Sequence, residues 1–211
     1  GTLTIKQDPS MIDSGVQNLD SEKVAQLVGK YSGEIEKITF ELSTDAHAIE
    51  VPKEVLQAIK DNNEDTVIEV KTAFGTYMLP INELDVQNIE SARIVVKKVT
   101  GAETGNLNVV SPIVEFNVVV NDGEKEIELS HFDQYVKRGL MMNQEVDPSK
   151  AVAVMVKEDG TIRAVPTLFD GNKAMIMSQT NSLYAIVQMD KTLKDVNDGV
   201  SWAEEYIETL A

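Results

Sequence analysis

The chain has 211 residues, 42% of them hydrophobic, enough for one large core or two small ones. Its 19 Lys and Arg stand against 35 Asp and Glu, a net charge of −16 that excludes nucleic acid as a ligand, because a phosphate backbone is held by a cationic footprint. The absence of cysteine removes disulfides, thiolate metal sites and cysteine nucleophiles together, and no run of 18 apolar residues is present to span a membrane.

Gly1-Thr2-Leu3-Thr4 has neither the basic nor the apolar region of a leader, so the first residue reads as a cut inside a longer, secreted chain. Asp20 precedes Val24, Leu27, Val28 and Tyr31 at helical spacing, which predicts a short helix over 21–30, capped by Asp20 and closing near Gly29 or Gly33. The period then falls to two. Beyond Ile35, the residues Ile38, Phe40 and Leu42 alternate with Thr39 and Glu41, as in a half-buried strand. A second helix starts at Val51-Pro52, with Pro52 in the first turn, where its missing N–H is harmless, and Val55, Leu56 and Ile59 toward the core. It ends near 61–63. Three strands rich in Val and Ile follow over 66–72, 76–81 and 92–99, the first two joined by a tight turn at Phe74-Gly75.

Residues 101–111, with Gly101, Gly105 and Asn106, read as a loop and a candidate sub-boundary. Three hairpins come next: 114–120 with 126–129 across Asn121-Asp122-Gly123, 151–156 with 162–165 across Glu158-Asp159-Gly160, and 167–169 with 174–177 across Asp170-Gly171-Asn172. Asp-Gly and Asn/Gly pairs supply the positive φ that hairpin turns require. A last strand over 182–189 places Leu183, Ala185 and Val187 on one face and Tyr184, Ile186 and Gln188 on the other. The fold class is therefore mainly β with an α minority. We expect an antiparallel, β-sandwich-like module, built as two lobes or one elongated sandwich about 101–111, with two short helices and a C-terminal helix.

The end of the chain carries the most specific pattern. Leu193-Lys194-Asp195-Val196 is followed by Trp202-Ala203, Tyr206-Ile207 and Leu210-Ala211, and Ala203, Tyr206, Ile207 and Leu210 fall at the spacing of an amphipathic helix. This resembles the opening of an S-layer homology repeat, whose pattern runs Phe-x-Asp-Val/Ile, a short spacer, Trp-Ala, an apolar pair and a Leu one turn on. The matching positions are Leu193, Asp195, Val196, Trp202, Ala203, Tyr206, Ile207 and Leu210, with Leu193 where the family usually has Phe. The resemblance implies an address outside a bacterial cell wall, in the wall or S-layer. In that family three complete repeats clasp a wall polysaccharide through a later basic motif, which this sequence does not contain.

A second resemblance covers about residues 35–189. Ile49-Glu50-Val51-Pro52, then Tyr77-Met78-Leu79-Pro80-Ile81, Val165-Pro166 and Asn181-Ser182-Leu183-Tyr184-Ala185-Ile186-Val187 are similar to modules that precede S-layer homology repeats in secreted Gram-positive surface proteins. It implies a noncatalytic spacer or assembly module whose partners are neighbouring domains of its own chain, with no nucleic acid and no membrane. The chain then divides into an N-terminal segment 1–34, a β-rich module 35–189 and the start of a repeat at 190–211.

The residues offer few rivals. His47 and His131 each have short polar or acidic neighbours, but a Ser-His-Asp relay is assembled by the fold and not by sequence adjacency, and both read as exposed loop histidines. No nucleophile elbow, paired-histidine zinc motif or phosphate loop is present, so no catalytic, cofactor or metal residue is assigned. Carboxylate pairs such as Glu34/Glu36, Glu64/Asp65 and Glu204/Glu205 leave a glycosidase open by count alone, against an aromatic content of 5%. The acidic stretches 61–65 and 121–124 lack the full ligand spacing of a calcium loop. A carbohydrate-binding module is the alternative function, with Tyr77 and Tyr135 as the candidate rings for stacking on sugar. The eight methionines, Met141-Met142 and Met175/Met177 among them, read as core filler.

Overall fold

The computed structural model describes residues 1–157 and 159–189, so the expected C-terminal helix and the positions of the S-layer resemblance from Leu193 to Leu210 lie outside the described residues. In chain order, β1 (Thr2–Lys6), β2 (Ile12–Asp13) and β3 (Val16–Gln17) precede α1 (Ser21–Gly29), and β4 (Lys37–Glu41) and β5 (Ala48–Pro52) lead into α2 (Lys53–Asn62). Next come β6 (Val67–Lys71), β7 (Gly75–Pro80), β8 (Ser91–Val99), β9 (Asn108–Val109), β10 (Ile113–Asn121) and β11 (Glu126–Leu129). The remaining strands are β12 (His131–Met141), β13 (Ala151–Val156), β14 (Ile162–Val165), β15 (Thr167–Asp170), β16 (Lys173–Thr180) and β17 (Ser182–Gln188). Strand accounts for 50% of the residues and helix for 15%, so the chain is mainly β, as its sequence indicates.

The strands form two sheets. One has the order β1-β4-β6-β7-β12-β16-β15; the other runs β14-β13-β17-β10-β8-β5-β3-β2, with β11 also beside β10 and β9 beside β17. Strands from before and after 101–111 pair directly, as β7 does with β12 and β8 with β10. One continuous core likewise holds Ile38, Leu56 and Ile68 together with Val136, Ile176 and Tyr184. The segment 101–111 therefore does not divide the molecule into lobes, and it contains β9. Residues 1–34 join the same architecture, because β1 lies parallel to β4 and α1 packs on α2.

Local chemistry explains the elements. Asp20 caps α1 by accepting from Lys23 N at 3.2 Å, and Gly33 follows at φ 94. Pro52 departs from expectation: it is the last residue of β5 and the N-cap of α2, one place earlier than the first turn. The end of α2 is tied down by side chains, since Ile35 N donates to Asn62 Oδ1 at 2.7 Å and Asn63 Nδ2 to Ile35 O at 3.1 Å. The acidic stretch 61–65 thus serves to close a helix. All three predicted hairpins form, between β10 and β11, β13 and β14, and β15 and β16. At the first, Asp122 Oδ1 accepts from Glu124 N and Lys125 N, both at 2.9 Å, bonds that hold its carboxyl below the usual range, and Gly123 takes φ 96.

Register fixes the two ends of the module. Thr2 pairs with Lys37, Lys37 with Val67 and Val67 with Pro80, which puts Gly1 at the Pro80 end of the first sheet. Met78 faces Lys137 and Val136 faces Ser178, so Thr180 and the crossover at Asn181 stand at that same end. β17 then runs away through the second sheet for roughly 20 Å. Its far end is joined to the Met141 end of the first sheet, because Val110 N donates to Ile186 O and Asn143 N to Val110 O, each at 2.9 Å. Gly1 and Met189 therefore lie at opposite ends of the strands. Among the described residues, no helix is long and apolar enough to cross a membrane.

Candidate functional site

The most unusual chemistry lies where two chain segments cross between the sheets side by side. Ser130 carries the chain from β11 into β12, and Asn181 carries it from β16 into β17. Asn181 N donates to Ser130 O at 3.0 Å and its Nδ2 to Leu129 O at 2.6 Å, which binds the two crossings together. Its Oδ1 accepts from Tyr77 Oη at 2.5 Å and from Arg138 Nη2 at 2.9 Å.

Arg138 comes from a core-facing slot of β12 and is 0% exposed. Its Nη1 donates to Val136 O and Ser178 O, both at 2.8 Å, while Nε has no partner among the described residues. Its guanidinium carbon sits 5.1 Å from the Tyr77 ring centroid and 5.2 Å from that of Tyr184. No carboxylate pairs with it among the described residues. The buried charge is held by oxygen acceptors and by two ring faces, which suit a planar, weakly hydrated guanidinium better than an ammonium. Tyr184 Oη donates onward to Ser178 Oγ at 2.8 Å and contacts Thr180 O, and Phe116 packs 5.6 Å from Tyr77 and 6.0 Å from Tyr184 between centroids. Burial raises the Tyr77 phenol well above the ordinary tyrosine range and shifts Tyr184 in the same direction, opposed in each case by the neighbouring Arg138 charge.

Outside this network an open cleft of about 740 Å³ is lined by Glu115, Asn117, Glu128, Lys157, Asn181 and Ser182 among others. Asn117 Nδ2 bonds Glu128 there, so this carboxylate is already engaged. The cleft sets apolar residues, Val99, Met155, Val156 and Leu183, beside the acidic Glu115, Glu128 and Asp159, and Phe116 is its only aromatic among the described lining residues. That lining can hydrogen-bond a ligand but presents no ring face for stacking, since Phe116 is fully buried.

The two tyrosines selected for sugar stacking are not brought together. Tyr77 is fully buried between Phe116 and Arg138, so neither ring face is free and it is withdrawn as a sugar platform. Tyr135 is 63% exposed beside an irregularity in the β12–β16 ladder, where Glu83 accepts from Asp133 N and Gln134 N. The methionines also depart from expectation. Met142 and Met155 are buried, but Met141 is exposed and Met175 and Met177 alternate outward from the core residues Ala174 and Ile176. His131 is exposed at the start of β12, whereas His47 is half-buried against Gly15, and loss of solvent lowers its pKa. Among the described residues no group of three His, Asp or Glu is placed to hold a metal ion.

Comparison with known proteins gives no family assignment: no family model matches the chain, and none of the curated proteins matches it.

Proposed function

We propose that this chain is a noncatalytic structural module of a bacterial cell-surface protein, a spacer that holds a neighbouring domain away from wall-anchoring repeats. The observation that carries the reading is the placement of Gly1 and Met189 at opposite ends of the strands, so that a chain passing from one to the other is carried along the strand direction. The address is read from the resemblance of Leu193, Asp195, Val196, Trp202, Ala203, Tyr206, Ile207 and Leu210 to an S-layer homology repeat. A net charge of −16 keeps such a module soluble and discourages adhesion to an anionic wall.

The experiment is replacement on the cell surface. Deleting residues 1–189 from the parent protein is expected to reduce antibody access to the domain upstream, and an unrelated β-sandwich of similar length is expected to restore it. Failure of the unrelated sandwich would show that the module does more than separate its neighbours. Calorimetry against cellulose, xylan and purified wall polysaccharide tests the carbohydrate-binding reading, for which exposed Tyr135 is the remaining ring. Micromolar binding abolished by Tyr135→Ala would put that reading in place of the spacer.

A further inference from the structure

The first sheet carries an apolar patch on its outer face. In β7, β12 and β16 the core takes Tyr77 and Leu79, Arg138 and Leu140, and Ala174 and Ile176, which turns the alternate positions outward. Register sets these in three rows across the strands: Met78, Lys137 and Met177; then Thr76, Gly139, Met175 and Leu168; then Met141, Lys173 and Asp170. Outward positions of an antiparallel sheet meet water and normally carry polar side chains. Here five are large and apolar. Leu168 is 63% exposed and Met141 41%, and Met78, Met175 and Met177 are partly exposed. With strands about 4.8 Å apart and alternate residues roughly 6.8 Å apart along each, the patch measures roughly 14 Å in both directions. A helix of about three turns spans it.

Shape and charge together select the occupant. A Cβ on Gly139 would meet nothing nearer than Thr76 Cβ at 3.4 Å, so the position opposite Met175 is a notch open to a side chain from outside. The flexible thioethers around it adapt to an incoming apolar surface. The chain has a net charge of −16, yet this face is cationic. Lys137 stands between Met78 and Met177, Lys173 stands beside Met141, and neither has an ion-pair partner among the described residues. Farther across the sheet Lys37 and Lys71 share the single carboxylate of Glu69. The complement of such a surface is an apolar stripe bordered by carboxylates. A second copy is a poor complement, because a twofold axis through the patch sets its lysines close to their own equivalents. A soft metal ion on the thioethers is disfavoured by the ammonium in the same row.

We infer that this face docks an acidic amphipathic helix of a partner protein, with its apolar stripe on Leu168 and the methionines and its carboxylates on Lys137 and Lys173. A helix suits the face of a sheet, where only side chains are presented and the backbone hydrogen bonds lie in the plane. The inference is independent of the spacer reading, since it rests on the chemistry of one sheet face and not on the positions of the chain ends.

The eight methionines supply the readout: four lie on this face, and Met11, Met142, Met155 and Met189 lie off it. In the full chain labelled at the methionine methyls, a synthetic helical peptide with a leucine stripe bordered by glutamate should shift the signals of Met78, Met141, Met175 and Met177 and leave the other four in place. The same peptide bordered by lysine should not bind. Lys137→Glu/Lys173→Glu should weaken binding of the acidic peptide tenfold or more and Leu168→Ser severalfold. Lys23→Glu/Lys125→Glu, an equal charge change at exposed lysines elsewhere, should leave it intact. Absence of shifts at the four methyls, equal binding of the two peptides, or equal effects of the two double variants would overturn the inference. Shifts of these methyls on concentrating the chain alone would overturn it in favour of a second copy, and shifts caused by anionic lipid vesicles but not by the peptide would do so in favour of a membrane surface.

Discussion

Arg138 and Asn181 meet at the point where the chain crosses between sheets: Nη2 donates to Oδ1 at 2.9 Å, and the same oxygen accepts from Tyr77 Oη. Asn181→Ala would leave Arg138 Nη2, Tyr77 Oη and Leu129 O unsatisfied in or near the core. Each such loss costs about 1–3 kcal/mol, partly relieved by water at the cleft, so the variant should lose about 2–4 kcal/mol in urea unfolding. A loss below about 0.5 kcal/mol would show that water replaces the amide freely.

The buried phenols make stability depend on high pH. Tyr77 and Tyr184 have folded pKa values raised above the unfolded value of about 10, burial being the first cause in both. Folding therefore favours the protonated phenols. Their contribution is fully present below about pH 10 and is lost as pH rises toward the folded values. Urea midpoints should be unaffected by these groups up to about pH 10 and fall above it, more shallowly in Tyr184→Phe. Tyrosinate absorbance should show Tyr77 ionising only with unfolding, and Tyr184 ionising at higher pH than an exposed phenol. Ionisation of every phenol in the folded chain near pH 10 would contradict this.

Where the sequence repeated a strong local signal, it predicted structure well. The cap at Asp20, the hairpins and the two faces of β17 are encoded by neighbours a few residues apart. β12 escaped notice because its alternation breaks: Phe132 and Val136 are core residues four apart, with an irregular ladder between them, and the next core slot is the charged Arg138. Without β12 the network at Asn181 has no cation, and Tyr77 reads as a free aromatic. An Arg in phase with Val136 and Leu140 was the available signal. The intermixing of the two halves was equally hidden, since the pairing of β7 with β12 depends on contacts far apart in sequence, for which period and turn residues carry no information.

A carboxylate is buried on the outer face of the first sheet. Glu69 is 2% exposed, with Lys37 Nζ at 3.5 Å, Lys71 Nζ at 3.6 Å and the Thr39 hydroxyl donating at 3.0 Å. The lysines are half-exposed, so their attraction is screened, and Glu69→Gln, which keeps an acceptor for Thr39, should cost no more than about 1 kcal/mol. Lys37→Met with Lys71→Met leaves the buried carboxylate without a cation and should cost more than Glu69→Gln, about 1–3 kcal/mol. The comparison is made by urea unfolding at neutral pH. An equal loss in both variants would mean that Glu69 is hydrated well enough to stand alone.

Two glycines on neighbouring strands should respond oppositely to the same added methyl. A Cβ on Gly75 would lie 2.8 Å from the backbone oxygen of Gly139 and 3.3 Å from Phe116 Cζ, and neither neighbour is free to move: one belongs to the β7–β12 ladder, the other to the aromatic cluster around Arg138. Gly75→Ala should therefore lose about 1–3 kcal/mol through overpacking. A Cβ on Gly139 would meet nothing nearer than Thr76 Cβ at 3.4 Å, a contact that a small side-chain shift relieves. Neither glycine has a positive φ, so alanine suffers no backbone penalty and restricts the unfolded chain. Gly139→Ala should be neutral or gain up to about 1 kcal/mol. Urea midpoints of the two variants decide the matter: similar losses would show that the ladder cannot take a methyl on either strand, whereas a tolerated Gly75→Ala would show that β7 and β12 can separate without disturbing the core beneath them.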